Sequence, residues 1–523
     1  MDFNKHTLAA IVEEMALLME ILGMNEFKIR ALQAGARALE KTETDIHAAL
    51  NDGTLGTLPG IGKGMAAIIR EYAEHGSIAE HTELRAAVPD GVLQLTELRG
   101  VGGKKARALY EHLGIASIGE LEYACKENRL LELKGFGTKT QDAILAAIAV
   151  WNAAQGKFHL HKATAIANDV CTILREQCSA SRAEIAGSLL RSTPVIERID
   201  IVADCTGTSI QECWSDATGS GNIWLIIHLG ATVFIHCTTL QEFERTFFLQ
   251  SCDDELRTAI QQRVGELPPD ATEESIHSAL GIRSAIPYQL REGAEILDKV
   301  VSSPLPDLID GRMLRGMLHI HTTWSDGIHS VRAMALAAKE LGFEYIAFCD
   351  HSRTAVYANG MSIERVLAQH DEIDTLNSEG LGIRILKGIE SDILSDGSLD
   401  YPDDILSLFD MVVASVHSAF KLPYEQQTER IITAVRNPYT TILGHPTGRL
   451  LLAREGYACD VERIIDAAAE SGTAIELNAN PYRLDLDQSY HAYASSRRVP
   501  VAINPDSHET ATLSEVYFGV GVG

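Results

Sequence analysis

No stretch of this chain comes near the roughly 18 uninterrupted apolar residues that a membrane span requires. Its opening residues also lack the basic start and apolar core of a secretion signal, because Glu13 and Glu14 interrupt the apolar positions. A cytoplasmic protein without a membrane partner is the expectation. Cysteine is sparse: nine are scattered from Cys125 to Cys459, odd in number and never spaced as CxxC, which argues against a disulfide framework and a thiolate zinc knuckle. Positive charge is also scarce, with 45 Lys and Arg against 72 Asp and Glu and a net charge of -27. A broad basic surface for polyanions is thereby excluded, since phosphate neutralisation by Lys and Arg drives that affinity. Any nucleic-acid contact must be local.

What is present is a chain of 523 residues, 46% hydrophobic and 22% charged, too long for one core and sized for three or four domains. Residues 5–40 read as two helices, with Leu8, Ile11, Met15 and Leu18 at helical spacing and a break around Gly23, Met24 and Asn25. An internal repeat follows to about residue 150, in the units LPGIGKGMAAII, LRGVGGKKARAL and LKGFGTKTQDAI. Each has an apolar residue, a Gly-apolar-Gly turn and then an apolar-periodic helix. The units resemble helix-hairpin-helix modules, carried by Gly60, Gly62, Gly100, Gly102, Gly135 and Gly137. Glycine turns let backbone N–H groups at the next helix N-terminus meet a phosphate without a large basic surface. Lys63, Lys104, Lys105 and Lys139 stand near those turns. The alternative is a plain helix–turn–helix packing unit, which a single copy would suit equally well.

Residues 155–300 look mixed α/β, with an amphipathic helix near 162–177, β-branched runs in RIDIVAD, NIWLIIHL and ATVFIHC, and then helices. SSPLPDLIDGRM reads as a linker. Beyond it the runs YIAFCD, IRILKGIE, MVVASVH, TTILGH, TAIELN and VPVAIN alternate with helical stretches, the pattern of an α/β barrel.

Polar residues sit where those runs end: His319, His321, Asp326, His351, Glu390, His417, His445, Asp506 and His508. In a parallel barrel the C-terminal strand ends converge on one face, so these nine can share one cluster. Histidine mixed with carboxylate suits zinc, manganese or iron better than calcium. Two or three such ions can bring the pKa of a bridging water toward neutrality and neutralise phosphate oxygens, so phosphoester hydrolysis is the expected chemistry. Any one of these histidines alone would read as a satisfied core or loop residue.

The order HxH, SDG, DHS, E, H, GHP, DSH resembles the PHP (polymerase and histidinol phosphatase) family, which implies a distorted seven-stranded (β/α) barrel over roughly the last 210 residues. The resemblance implies one metal on His319, His321, Glu390 and Asp506, which would be the catalytic set. It implies a second on Glu390, His417 and His445, and a third on Asp326, His351 and His508. Up to three Mn²⁺ or Zn²⁺ ions are expected, with Mg²⁺ as an alternative.

FKIRALQAGARAL, LPGIGKG, AGSLLRS and TEESIHSALGI with IPYQLREGAEI extend the resemblance over nearly the full length, to the bacterial family X DNA polymerases. That resemblance implies a helical DNA-binding domain with the first hairpin in 1–80, hairpin repeats in 81–155, a nucleotidyltransferase-like palm and thumb in 156–300, and a PHP domain in 312–523. Family members pair gap-filling synthesis with a Mn-dependent 3′-5′ exonuclease assigned to the PHP domain.

The polymerase half departs from the family pattern. Nucleotidyl transfer needs clustered carboxylates for two Mg²⁺ ions. Arg198 stands where the first belongs, Asp200 is kept, and Phe234 takes the third place; a shifted alignment in which Asp204 compensates stays open. The Gly187-Ser188 motif survives, but Leu190 replaces its first following arginine and leaves Arg191, and Phe247-Phe248-Leu249-Gln250-Ser251 replaces a Tyr-Phe-Thr-Gly-Ser type. Ile68 takes the place of a Schiff-base lysine. The family usually continues past GVGVG, so apolar surface is expected at the barrel's end. The expectation is a monomeric DNA-repair exonuclease acting on gapped, nicked or single-strand ends, with degenerate nucleotidyl transfer. The alternatives are a gap-filling DNA polymerase and a phosphatase of a small metabolite.

Overall fold

The computed structural model describes every residue except 1–3, 43, 283, 284, 304 and 306, with 132 described by its backbone alone. Two prolines of the expected linker, Pro304 and Pro306, lie outside the described residues. The chain forms two compact units, Met1–Gln155 and Gly156–Gly523.

The first unit is helical. Asn4 and Asn25 accept backbone N–H bonds at the starts of Lys5–Ile21 and Glu26–Lys41, satisfying donors that the helix itself leaves free. Gly23, with φ +65°, makes the break expected between them. The three repeats then share one geometry. Gly60, Gly100 and Gly135 take φ of +81°, +88° and +93°, a region L-residues avoid. Gly62, Gly102 and Gly137 are extended N-caps to Lys63–His75, Gly103–Leu113 and Thr138–Ala154. Between each glycine pair Ile61, Val101 or Phe136 is buried and pins the turn to a core that runs from Leu8 to Ile148.

The second unit contains two sheets of functional interest. In the smaller, Ala183–Ala186, Ile199–Ala203, Ala231–Cys237, Ile223–His228 and Thr218–Ser220 lie side by side in that order. Ile199–Ala203 and Ala231–Cys237 are parallel and the other pairs antiparallel. Helix Leu160–Glu176 covers it, and helices from Phe243 to Ser302 bury a separate apolar cluster.

The larger sheet has seven parallel strands in chain order: Gly316–Ile320, Tyr345–Phe348, Arg384–Asp392, Met411–Ser415, Ile442–Leu443, Ala474–Asn478 and Val501–Asn504. A parallel bridge between Ile320 and Ser507 nearly closes it into a barrel. Parallel strands buried on both faces read as continuous apolar runs, which is how they stood out in the sequence. At the chain's end Val516 and Gly519 of helix Val516–Val522 are buried, Phe518 and Val522 pack on the smaller sheet's core, and Tyr517 is 43% exposed. Leu484, from the barrel, is fully buried in that same core.

Candidate metal centre

The strand Gly316–Ile320 slips register against Tyr345–Phe348 between Met317 and Ile320, and His319 in the slip has φ +56°. His445 and Asp506 also take positive φ, +23° and +53°. Each such backbone costs a non-glycine residue on the order of 1–3 kcal/mol. The strain turns three side chains toward one point at the C-terminal ends of the strands.

Glu390 lies at that point, fully buried, with five imidazoles around it. His319, His417 and His445 place Nε2 3.2, 3.3 and 2.9 Å from its Oε1, while His351 Nδ1 and His321 Nε2 lie 2.9 and 3.7 Å from its Oε2. Asp506 Oδ1 is 3.1 Å from His321 Nε2 and 3.7 Å from His319 Nε2. Asp326 is 3.5 Å from His508, 3.6 Å from His351 and 3.8 Å from His321 Nδ1. All nine expected residues thus meet in one pocket. Their grouping differs from the implied sets in three places, the first being that His445 groups with His319 and Glu390 and not with His417. His321 sits between two carboxylates, with Nε2 toward Asp506 and Nδ1 toward Asp326, and His351 faces Glu390 and His417 as well as Asp326.

The donor set fits divalent cations. His319 Nε2, His321 Nδ1, His351 Nδ1 and Glu390 Oε2 are buried without a hydrogen bond, although opposed donors and acceptors stand within 4 Å. Buried polar atoms are ordinarily satisfied, and lone pairs aimed at a shared space are what a metal site requires.

Charge is distributed accordingly. Burial works against protonating His319, yet Glu476, Glu390 and Asp506 raise its pKa well above the usual imidazole value. Burial likewise opposes ionising Glu390 and Asp506, but the surrounding histidines hold both carboxyls well below their ordinary range. Burial, reinforced by His508 and His351, lowers His321 to about 3. Against burial, Glu390 and Asp392 raise His417 to about 10, and Asp326 and Asp506 raise His508 to about 9.

A supporting layer escaped the sequence reading. Glu476 accepts from His319 Nδ1 at 2.6 Å and from the His445 backbone N–H at 2.7 Å, and Asp392 accepts from His417 Nδ1 at 2.7 Å. Such carboxylates fix the ring orientation and raise ligand basicity. Asp350 accepts from Thr322 and Ser325 and so holds the turn that carries Asp326. Arg483 brings its guanidinium within 3.6 Å of Asp506.

Comparisons with known proteins agree with this layout. A model of the helix-hairpin-helix domain matches residues 4–78, one of the SAM-like helix-hairpin-helix tandem matches 92–149, and one of the PHP domain matches 317–480. The DNA polymerase/3′-5′ exonuclease PolX of Bacillus subtilis (strain 168) is 34% identical over 99% of this chain and 95% of its own length. The chain belongs to the PolX family. Probable phosphatases of Thermoanaerobacter sp. (strain X514) and Acetivibrio thermocellus are each 30% identical, over 36% and 38% of this chain and 77% and 83% of theirs.

The smaller sheet brings together the residues expected at the nucleotidyl-transfer positions. Phe234 is the register partner of Asp200 on the adjacent parallel strand. Arg198 binds both Asp200 oxygens through Nε and Nη2 at 2.6–3.0 Å and lies 4.0 Å over the Phe234 ring, while His236 reaches Asp200 at 2.8 Å. Asp204 is engaged with Ser181 and, at 2.6 Å, with the Arg182 backbone N–H. Gly187 packs against Asp200, with Ser188 in the short turn Gly187–Leu190, and Arg191 is tied to Glu292 and the Ser251 carbonyl. In the PolX hairpins Lys104 pairs with Glu26 and Lys105 donates to the Gly100 carbonyl, whereas Lys63 and Lys139 are exposed and make no ion pair among the described residues.

Proposed function

We propose that this chain is a cytoplasmic, metal-dependent phosphodiesterase of DNA ends, a 3′-5′ exonuclease at gaps, nicks or single-strand termini, working as a monomer. The observation that carries this is the buried Glu390 ringed by five imidazoles, with Asp506 and Asp326 completing the donor set. In this reading residues 1–80 and 81–155 hold the DNA through hairpin N–H groups, 156–300 act as a scaffold, and 312–523 hydrolyse the phosphoester.

His319, His321, Glu390 and Asp506 would hold one ion, with Glu390 shared by a second on His417 and His445, and Asp326, His351 and His508 on a third. Histidine with carboxylate favours Mn²⁺ or Zn²⁺ over Mg²⁺. Bound ions would supply an activated water and neutralise phosphate charge. The protein's own share is to hold the ligands rigid through Glu476 and Asp392, and to present Arg483, half-buried beside Asp506, to a phosphate oxygen. Impaired nucleotidyl transfer is supported by Asp200, whose oxygens are taken by Arg198 and His236.

The test is the full chain with Mn²⁺ on a 5′-labelled gapped duplex, with and without deoxynucleotides. The expected outcome is shortening that His319→Ala or Asp506→Asn abolishes, with no extension. Digestion that persists in those variants overturns the nuclease, and extension that depends on Asp200 restores the polymerase. The likeness of the barrel to probable phosphatases favours a second reading, a small phosphomonoester as substrate, for which such esters would be turned over in preference to DNA.

A further inference from the structure

Two large apolar side chains stand exposed at the mouth of the metal pocket, on the turn that follows His351. Val356 is 83% and Tyr357 70% exposed. The Tyr357 ring lies 5.9 Å from the ring of His351 and 6.2 Å from that of His417. Surface apolar residues scattered singly need no explanation, but an adjacent pair beside a polar cluster is different.

The turn beneath them is held from several sides. Arg353 and the Thr354 backbone N–H both bind Asp400, at 3.0 and 2.8 Å, and the Thr354 hydroxyl donates to Asp392 at 2.6 Å. Ala355 and Ala358 are buried on either side of the exposed pair. Asn359 donates to the Ser325 carbonyl, next to Asp326, and Arg365 donates to the Asn359 carbonyl. Gly360 approaches the Ser352 carbonyl so closely that a Cβ there would lie 1.9 Å from it, so the turn closes only with glycine. The exposed pair is therefore held in place, and two of its anchors, Asp392 and Ser325, belong to the supports of the metal ligands.

We infer that Val356 and Tyr357 form a nucleobase subsite, on which the base of the strand's terminal nucleotide stacks while its phosphodiester lies over Glu390. This rests on the proposed action on DNA ends and names what the pocket's rim recognises. A ring centred about 6 Å from two ligand imidazoles is within one nucleotide of a phosphate at the metals. Stacking on the Tyr357 ring face is sequence-tolerant because every base has a π-face, so the subsite accepts any of the four bases.

The experiment is a double-mutant cycle on the full chain with Mn²⁺, combining Tyr357→Ala with a substrate whose 3′-terminal nucleotide is an abasic tetrahydrofuran. Aromatic stacking corresponds to about a 5- to 150-fold effect per base. Tyr357→Ala on an adenine-ended strand and the wild type on the abasic strand should each lose kcat/KM by such a factor, chiefly through KM, and the combination should lose no more than either alone. Tyr357→Phe should restore the wild-type value. Losses that multiply, or no loss in either arm, overturn the subsite. Quenching of a 3′-terminal 2-aminopurine, measured with Zn²⁺ on a strand whose terminal linkage is a hydrolysis-resistant phosphorothioate, reads the stacking without turnover. Quenching lost in Tyr357→Ala supports the subsite even if DNA hydrolysis itself is absent, and quenching that is missing or unchanged overturns it.

Discussion

Glu476 and His319 are joined at 2.6 Å, carboxylate to Nδ1–H, and neither side chain touches solvent. The same carboxylate accepts from the His445 backbone and from Asn504 at 2.7 and 2.9 Å. It thereby orients two ligands from one position. In Glu476→Gln an amide N–H₂ must face groups that are themselves donors, and His319 loses the partner that keeps its Nε2 lone pair aimed at the pocket. Metal affinity should fall about 10- to 100-fold. Isothermal titration with Mn²⁺ and with Zn²⁺ checks this, and an unchanged affinity would separate Glu476 from the site.

Metal binding should strengthen as pH rises from 6 to 8. His417 and His508 have metal-free pKa values raised to about 10 and about 9, so both carry a proton at neutral pH that an incoming cation must displace. The sign for stability is the reverse. In metal-free protein the contribution of these raised groups is fully present below the unfolded value of about 6.5. It is lost as pH climbs through 9 to 10. Metal-free Tm should therefore decline over that interval more than metal-loaded Tm does, and because His319 is likewise raised well above the usual imidazole value, proton release on titration near pH 7 should approach three per molecule. Pairs of melting curves at pH 6.5 and 9.5, with chelator or with Mn²⁺, measure it.

The candidate ligands are legible in the sequence because HxH, DHS, GHP and DSH each close an apolar run, SDG follows HxH in the next turn, and strand ends converge in a parallel barrel. Glu476 and Asp392 are harder to see, since a lone acid within TAIELN or GIESD resembles any polar strand residue. A signal was nevertheless present. Glu476 and Asn478 alternate on one face of Ala474–Asn478, as Glu390 and Asp392 do on Arg384–Asp392, so a second inward carboxylate follows from the period of two. The hairpins are legible for a different reason, their fixed Gly-apolar-Gly spacing. The Val356–Tyr357 rim and the reach of Arg483 depend on how loops from distant strands meet, which spacing does not encode. The pairing of Lys104 with Glu26, 78 positions apart, is hidden for the same reason.

Because Lys104 and Lys105 have internal partners, the first and third hairpins should carry the phosphate contacts. Each phosphate neutralised contributes about 0.9 to the slope of log affinity against log salt on duplex DNA. Lys63→Ala with Lys139→Ala should lower that slope by up to about 2, weakening binding to all sequences alike. Lys104→Ala should leave it nearly unchanged. Fluorescence anisotropy of a labelled gapped duplex across a sodium chloride series decides, and a larger effect from Lys104 would reassign the contact to the second hairpin.

Arg198 does for Asp200 what a metal would do in a working nucleotidyl-transfer site, neutralising a carboxylate that is only 8% exposed. Burial favours the neutral acid, yet His236 and Arg198 hold the Asp200 carboxyl below its usual range, so the ionised form depends on those partners. Asp200→Asn should cost about 1 kcal/mol, a modest value because the Arg198 side chain is half exposed and screened. It should lower Tm by a few degrees without slowing nuclease turnover. Replacing the neutralising groups themselves is the sharper test. Arg198→Asp with Phe234→Asp would set three acids together in place of the present ion pair, so the variant should be less stable than wild type without metal. It should also gain more Tm on adding Mg²⁺ than wild type does, because only the variant offers clustered carboxylates there. An equal Mg²⁺ response in the two proteins would mean that this sheet does not shape a cation site even with three acids clustered on it.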